Sequence, residues 1–526
     1  MENISTVLML FVLMLVLVTF ARKSHLPYPI VLVLGGLLLG FVPGLPHLAL
    51  DPDIVFLLFL PPILYYTAVF TSFKDFRANL RPIFLHAVGL VLTTMAAVAA
   101  AAHAVVPGLT WPAAFVLGAI VSPPDAVSAT AILRRLGVPQ RVATILEGES
   151  LVNDATALVA YRMALAALIT GTFSLPRATF QFVVVAAGGI AIGLAIGWLS
   201  GRVRRRVDDP STQITLSLLT PFAAYLPAET LGVSGVLAVV TTGLYIGGVR
   251  LLLSPATRLQ ARTVWDVIVF LLNGLIFLLI GLQLPAVMRG LADVPMTRLL
   301  SYAAIVSLTA IVVRIVWVFT ATYVPRFLSA RLRERDPYPG WRNVTVIAWS
   351  GMRGIVSLAA AFALPFRLPD GTPFPGRDMI LFLTFSLIIA TLVGQGLTLP
   401  PLLRWLGLTD PARAEREERK ARLEAARAAI HRLEELAREN HLNTEYLDRL
   451  RWRYEQRAKR LGIEDPKETE HEICRRFTGD YERLRRELIQ AERRVLRQLR
   501  DEGLIGDEVM LSIEHDLDVE ESHVET

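Results

Sequence analysis

Long apolar runs separated by short polar segments occupy the first 409 residues of the chain. A helix of about 20 apolar residues is long enough to cross the hydrocarbon core of a bilayer, which is roughly 30 Å thick. The pattern predicts an all-α polytopic membrane protein with thirteen transmembrane helices. We number these spans 1 to 13; they lie near 3–21, 27–44, 53–72, 82–106, 112–133, 142–171, 178–200, 212–228, 231–249, 264–285, 299–325, 343–364 and 378–405.

Basic residues in the loops between the spans indicate the orientation of the chain. Lys and Arg near helix ends accumulate on the cytoplasmic side. If loops are assigned alternately, one side holds 20 of these residues and the other holds five. We therefore expect the N-terminus outside and the C-terminal tail in the cytoplasm. Arg22 and Lys23 follow the first apolar run, the reverse of a signal peptide, so we expect span 1 to be retained.

Charge divides the chain into two parts. From Asp410 onward there are 24 basic and 30 acidic residues, which leaves 29 and 17 in the first 409. This division predicts a membrane domain at 1–409 and a helical cytoplasmic tail at 410–526, since the tail is rich in helix formers with opposite charges at helical spacing. The sequence pI of 9.5 does not indicate a nucleic-acid partner, because the basic residues cluster between apolar runs.

Span 6 contains a polar cluster within the segment EGESLVNDATALVAYR. Glu149 and Asn153 are four residues apart, as are Ser150 and Asp154, so all four lie on adjacent strips of one helix face. Charged residues inside a membrane are costly and are usually functional or paired. Carboxylate, hydroxyl and amide oxygens are ligands that hard cations prefer. The cluster predicts a monovalent-cation site at Asp154.

Spans 5 and 12 each contain a signal for an interrupted helix. The segment SPPD places two prolines before Asp125, which frees carbonyls such as that of Pro124 and sets Asp125 at the start of a new helix. The segment WSGMRGIVS places Arg353 between two glycines. These spans are each fifth in a set of six, spans 1–6 and 8–13. We therefore predict two six-helix inverted repeats, with crossed broken helices and a binding site near the membrane midplane.

Several segments resemble the cation:proton antiporter-1 family, which contains bacterial sodium/proton antiporters related to animal sodium/proton exchangers. They are FLPPILYY at 59–66, SPPDAV at 122–127, EGESLVNDA at 147–155, FLLNGLIFLLIGLQL at 270–284 and GMRG at 351–354. The resemblance implies a homodimeric secondary antiporter of a bacterial inner (plasma) membrane that exchanges Na⁺ for H⁺ in pH homeostasis. It also implies that spans 4–6 and 11–13 move against the other spans.

Carried over by position, the resemblance implies ion-binding roles for a set of residues in spans 5 and 6: Asp154, Asn153, Ser150, Asp125 and the carbonyl of Pro124. It implies a structural ion pair between Glu149 and Arg353. The chain departs from the family where members often carry an acidic residue in span 3, because Tyr66 and Thr67 stand there. We expect the ion shell to use Thr67 or water instead.

The sequence supports a role in ion binding less strongly for the other ionisable residues within the spans. Glu147 lies near the start of its helix and suits an interfacial position as well as a pH-sensitive gate. We expect Arg314 to pair structurally. His86 and His103 are expected to be packing residues, because neither has a second His or Cys at ligand spacing.

A single buried carboxylate suggests a mechanism in which cation and proton compete for Asp154. The neutral Asn153 beside it leaves one titrating charge, so we expect electroneutral exchange. No phosphate-binding loop is present in the sequence, and we expect ion gradients rather than a cofactor or an enzymatic reaction to drive transport. Alternatives remain open: exchange of K⁺ or Li⁺, a cation channel, a membrane sensor that signals through its tail, and an organic-solute transporter.

Overall fold

The computed structural model describes residues 2–24, 27–41, 55–249, 255–408, 422–431, 433–435, 451–456, 458–459 and 502. Within these ranges the regular structure is helical, and the β-type pairing is limited to an isolated bridge between Arg367 and Pro373. The chain forms two compact units, Met1–Pro411 and Ala412–Thr526. The described pieces of the second unit before residue 460 are helical, and most of the predicted tail helix lies outside the described residues.

The helices of the first unit follow the predicted spans closely. In chain order they are Glu2–Lys23, Tyr28–Gly40, Val55–Phe59, Leu60–Phe70, Phe73–Ala78, Leu80–Phe84, Leu85–Leu90, Val91–Val105, Trp111–Val121, Ala126–Arg135, Gln140–Thr170, Leu175–Arg204, Pro210–Thr230, Gly235–Val249, Pro255–Arg289, Met296–Leu328, Ala330–Arg335, Trp341–Trp349, Ile355–Phe362, Arg377–Ile389, Ala390–Gln395 and Gly396–Trp405. Val55–Phe59, Leu85–Leu90 and Ala390–Gln395 are π-helical turns inside longer helices.

Six helical stretches among the described residues are long and apolar enough to cross a membrane. They are Leu80–Val105, Gln140–Thr170, Leu175–Arg204, Gln260–Arg289, Met296–Leu328 and Arg377–Trp405. Four shorter apolar helices accompany them: Tyr28–Gly40, Leu57–Phe70, Trp111–Val121 and Gly235–Gly248. Every predicted span overlaps helix. The count of thirteen transmembrane helices and the inverted repeats stay predictions.

Both predicted interruptions are present in the backbone. Helix Trp111–Val121 ends before the two prolines, and a new helix begins at Ala126. Proline lacks an amide hydrogen and disfavours helical geometry in the residue before it, which explains the break. Helix Trp341–Trp349 likewise ends before a glycine-containing segment, and helix Ile355–Phe362 follows it.

Glycines allow the helices around the site to approach closely. A Cβ added to Gly118 would overlap the backbone of Met95, so span 5 lies directly against span 4. A Cβ on Gly36 or Gly281 would overlap the backbone of the facing helix, which brings span 2 against span 10. Small residues at helix contacts are typical of membrane proteins. The first half of span 5 is buried by protein on most sides, which a broken helix in a membrane requires.

Candidate cation site

The two helix interruptions are in direct contact. The backbone N–H of Asp125 donates a hydrogen bond of 2.7 Å to the carbonyl of Met352. A Cβ added to Gly354 would lie only 2.7 Å from Cβ and Cγ of Asp125, so glycine is needed at this close approach. The sequence predicted two broken helices, and the structure brings their irregular segments together.

Asp125 caps the second half of span 5. Its Oδ1 accepts a hydrogen bond of 2.8 Å from the backbone N–H of Val127, and the hydroxyl of Ser150 accepts one of 3.4 Å from the N–H of Ala126. Both acceptors therefore lie at the N-terminus of helix Ala126–Arg135. The positive end of the helix dipole stabilises an anionic side chain at this position.

Asn153 connects span 6 to the interruption of span 5. Its Nδ2 donates a hydrogen bond of 2.7 Å to the carbonyl of Pro124. The side chain is fully buried, and its Oδ1 has no hydrogen-bond partner among the described residues. The amide therefore holds the Pro124 carbonyl in place, while its own oxygen remains available to a ligand.

Asp154 lies at a cavity of about 450 Å³ and is only 5% exposed. Asp125, Ser150 and Thr67 line the same cavity. No described residue donates a hydrogen bond to the Asp154 carboxylate. The structure thus places four of the predicted site residues around one space that is large enough for a cation and water.

The predicted ion pair between Glu149 and Arg353 is wrong in its arginine partner. Glu149 pairs instead with Arg314 of span 11, whose Nη1 lies 2.6 Å from Oε1 and whose Nη2 lies 3.2 Å from Oε2. Both side chains are 1% exposed. A two-point contact between a guanidinium and a carboxylate is among the stronger charged hydrogen bonds. The expectation that Arg314 pairs structurally agrees with this geometry.

Arg353 lies against the backbone of the two interruptions. Its Nε donates a hydrogen bond of 3.1 Å to the carbonyl of Val121, and Nη1 donates to the carbonyl of Gly351. Val121 is the last residue of its half-helix, where backbone carbonyls lack helical partners and favour a cation.

Arg314 makes the equivalent contacts in span 12. Its Nη2 donates to the carbonyls of Ile347 and Ser350, at 3.1 and 3.4 Å. Each interrupted helix therefore ends its first half beside a buried arginine.

Thr67 and Tyr66 take different positions. Thr67 lines the cavity, but its hydroxyl donates a hydrogen bond of 3.0 Å to the carbonyl of Ile63 in the preceding turn. The Tyr66 hydroxyl donates to Oδ1 of Asp266 at 2.5 Å. Sequence reasoning did not single out Asp266, because this residue stands at the start of an apolar run without a neighbouring motif.

Two further polar residues of the cavity were missed by the sequence reasoning. Asn273 of span 10 and Ser357 of span 12 line it, and they are 3% and 1% exposed. Both fall inside or beside the segments that carry the family resemblance, but each stands alone among apolar residues. An isolated amide or hydroxyl in an apolar helix was the available signal.

The remaining polar candidates are Glu147, His86 and His103, and each has different surroundings. Glu147 is 7% exposed and lines the cavity. Nδ1 of His86 lies 3.6 Å from Oε2 of Glu149. Nδ1 of His103 lies 2.7 Å from the carbonyl of Leu109, which fits a packing residue.

Two crossed, interrupted helices beside a buried carboxylate are typical of ion-coupled secondary transporters. The chain belongs to the sodium/hydrogen exchanger family, since the model described as "Sodium/hydrogen exchanger, transmembrane" matches residues 8–405. This match confirms the resemblance seen in the sequence motifs.

Two relatives and one solved structure support the assignment. An uncharacterised Na⁺/H⁺ exchanger of Mycobacterium tuberculosis is 36% identical over 499 residues, covering 94% of this chain and 91% of the relative. A sodium, potassium, lithium and rubidium/H⁺ antiporter of Bacillus pumilus is 36% identical over 412 residues, covering 75% and 61%. The sodium/proton antiporter MjNhaP1 of Methanocaldococcus jannaschii, at 19% identity, has the same fold with a TM-score of 0.58, covering 75% of this chain and 100% of that one.

Proposed function

We propose that this chain exchanges one monovalent cation, Na⁺ in the first instance, for one proton at Asp154. The observation that carries the proposal is the lack of compensation at this carboxylate. Glu149 is paired with Arg314, and Asp125 accepts a backbone hydrogen bond, whereas no described residue donates a hydrogen bond to Asp154. A buried charge without a partner is costly, so this carboxylate favours a bound proton or cation.

Obligatory exchange follows from that cost. An empty, charged Asp154 resists crossing a low-dielectric barrier, whereas the proton-loaded and cation-loaded forms are neutral at this position. Spans 4–6 and 11–13 then move against the other spans only when Asp154 is loaded. Because Asn153 contributes no charge, each cycle moves one positive charge in each direction and is electroneutral.

Five other residues have supporting roles in the proposed site: Pro124, Asn153, Ser150, Asp125 and Thr67. The Ser150 hydroxyl, the Asp125 carboxylate and the Asn153 Oδ1 supply oxygens beside Asp154. The Pro124 carbonyl is held by Asn153 at 2.7 Å and stays fixed where the helix is broken. Thr67 lies on span 3, which belongs to the scaffold, the set of spans that are not proposed to move. It contributes through its position on the cavity wall.

A wider cation range is the second candidate function. The Bacillus pumilus relative is named as an antiporter of sodium, potassium, lithium and rubidium. A cavity of about 450 Å³ leaves room for a larger cation or a partly hydrated one. Exchange of K⁺ or Li⁺ for H⁺ at the same carboxylate therefore accompanies the Na⁺ proposal.

The cellular arrangement is part of the same proposal. The 20 to 5 distribution of basic residues supports an outside N-terminus and a cytoplasmic tail in a bacterial inner membrane. The family resemblance supports a homodimer.

Everted membrane vesicles that contain a pH-sensitive dye test the proposed function. Addition of Na⁺, Li⁺ or K⁺ to vesicles acidified by respiration should restore dye fluorescence in proportion to exchange. The Asp154→Asn variant, produced at equal membrane level, should show no cation-induced recovery. Recovery in that variant equal to the unaltered protein would contradict the assignment of Asp154.

A further inference from the structure

Two buried oxygens of the Asp154 cavity have no hydrogen-bond partner among the described residues. They are Oδ1 of Asn273 and Oγ of Ser357, on side chains that are 3% and 1% exposed. Leaving a buried polar atom unpaired is energetically unfavourable. Nearly all such atoms in proteins are paired with protein, water or an ion. Both residues also line the cavity, so a ligand in it is within reach of their side chains.

The residues next to Asn273 in the sequence are apolar. Leu272, Leu275 and Ile276 adjoin Asn273 in sequence and belong to an apolar cluster with Ile63 and Ala359. These neighbours provide no hydrogen-bonding side chain. The Asn273 amide is therefore an isolated polar group on its own helix.

The two residues belong to helices with different proposed roles. Asn273 lies on helix Pro255–Arg289, which packs closely against helix Tyr28–Gly40 in the scaffold. Ser357 lies on the half-helix Ile355–Phe362, which begins directly after the close contact of Gly354 with Asp125. One oxygen therefore comes from the proposed scaffold and the other from the proposed moving bundle.

We propose that Asn273 and Ser357 supply neutral oxygen ligands to the transported cation and set its preference among alkali cations. The inference rests on the proposed exchange at Asp154 and extends it to two further residues that line the same cavity. Hard cations prefer oxygen ligands, and the number and strength of those ligands determine which cation is favoured. Neutral ligands add to the shell without adding a titrating charge, so the exchange remains electroneutral.

Because the proposed ligands come from both the scaffold and the moving spans, cation binding is also linked to conformation. When the moving bundle shifts, Ser357 moves with Asp154, and Asn273 stays with the scaffold. The cation then has its full set of ligands only while the cavity is in the conformation described by the structure.

Cation titrations of Asn273→Ala and Ser357→Ala in proteoliposomes test the proposal. Each variant should raise the half-saturating Na⁺ concentration about 5-fold or more, because one ligand is lost. The increase should be larger for K⁺ than for Li⁺, since a larger cation needs more ligands. Thr384→Val is the matched control: the Thr384 hydroxyl is also fully buried and unpaired among the described residues, but it does not line this cavity. Its half-saturating concentrations should be unchanged.

A second measurement distinguishes weaker cation binding from a folding defect. Purified protein in detergent, held in weak buffer, should release protons when Na⁺ is added, and this signal needs no turnover. Both variants should need more Na⁺ for half of the release. Unchanged half-saturation and unchanged cation order in both assays would overturn the inference, as would a lower maximal rate at an unchanged half-saturating concentration.

Asp154→Asn in the same assays separates this inference from the proposed function. If that variant still exchanges cations, the proposed function fails. If it is inactive and both cavity variants behave like the unaltered protein, only the roles of Asn273 and Ser357 fail.

Discussion

At the scale of single residues, three buried or partly buried carboxylates near the site differ in what compensates them. Glu149 pairs with Arg314, Asp125 accepts the N–H of Val127, and Asp154 receives no hydrogen bond from the described residues. All three are acidic side chains of spans 5 and 6. Their partners, rather than their residue type, support a structural role for Glu149 and the proposed exchange role for Asp154.

Replacing Arg314 should destabilise the protein through Glu149 more than replacing Arg353 does. Arg314→Met leaves the Glu149 charge buried without its partner, which typically costs roughly 3 to 5 kcal/mol. Thermal unfolding of the purified proteins, combined with Glu149→Gln in double-mutant cycles, measures the coupling of each arginine to Glu149.

We expect the coupling energy with Arg314 to be clearly larger than that with Arg353. Glu149→Gln should restore part of the stability lost in Arg314→Met, because the uncompensated charge is then gone. A larger coupling with Arg353 would contradict the pairing in the structure.

The sequence predicted the polar residues of span 6 because their four-residue spacing places them on one helix face. It did not predict the partner of Glu149, since Arg314 is 165 residues away and the choice between two arginines depends on packing. Asn273 and Ser357 were missed for the same reason. An isolated polar residue gains a role only when the fold shows which cavity it lines.

At the scale of elements, the interrupted helices were predictable from local chemistry. Adjacent prolines and closely spaced glycines favour a break in a helix but do not enforce one, since Pro400 and Pro401 lie inside helix Gly396–Trp405. The contact between the two breaks was predicted only by analogy with inverted-repeat transporters. The hydrogen bond from Asp125 to the Met352 carbonyl gives this contact a definite geometry.

Replacing Gly354 should disrupt this crossing. In Gly354→Ala, the new methyl group would overlap the Asp125 side chain and push the two interruptions apart. We expect the exchange rate to fall at least about 10-fold, since small misplacements at a reacting site have effects of this size or larger. Gly248→Ala is a suitable control, because a Cβ there meets open space. Equal exchange by both variants would contradict the close contact.

A charged cluster joins the loop after span 11 to spans 4 and 6. Asp336 accepts hydrogen bonds from Arg326 and, at 2.9 Å, from Arg141, and Arg81 lies 3.9 Å away. Burial acts to raise the pKa of Asp336, but the hydrogen bonds and charges of Arg141 and Arg326 outweigh it and hold the pKa below its usual value. The charged form is therefore the one that stabilises the fold.

Asp336→Asn should lower the melting temperature of the purified protein at neutral pH, through a loss of about 1 to 3 kcal/mol for charged hydrogen bonds. Because the folded-state pKa is lowered, the contribution is fully present above about pH 4 and is lost as the pH falls through the lowered pKa. Differential scanning fluorimetry across pH measures this. Asp370→Asn, which removes an exposed carboxylate bonded within its own turn to Thr372, should have little effect. Equal melting temperatures at pH 7 for Asp336→Asn and the unaltered protein would rule out a stabilising role.

At the scale of the whole molecule, hydrophobic length and charge asymmetry were sufficient to predict an all-helical membrane unit. These signals are strong because each span must satisfy its backbone internally and match the thickness of the bilayer. They are weaker where helices are short or broken. Among the described residues, six helices are long and apolar enough to cross a membrane, and four shorter apolar helices accompany them.

The direction of transport and its charge balance are also properties of the whole molecule. In the proposed mechanism Asp154 carries one proton in one half of the cycle and one monovalent cation in the other, so we expect the complete cycle to move no net charge. A second titrating site that took part in the cycle would break this balance. Glu147, which lines the same cavity, is the residue to replace first if charge movement were found.

Simultaneous recording of internal pH and membrane potential in proteoliposomes tests the central claim most directly. With an outward Na⁺ gradient, the unaltered protein should acidify the lumen while a potential-sensitive dye shows no change, and Asp154→Asn should do neither. A membrane potential that develops with the pH change, or continued acidification by Asp154→Asn, would contradict electroneutral exchange at this carboxylate.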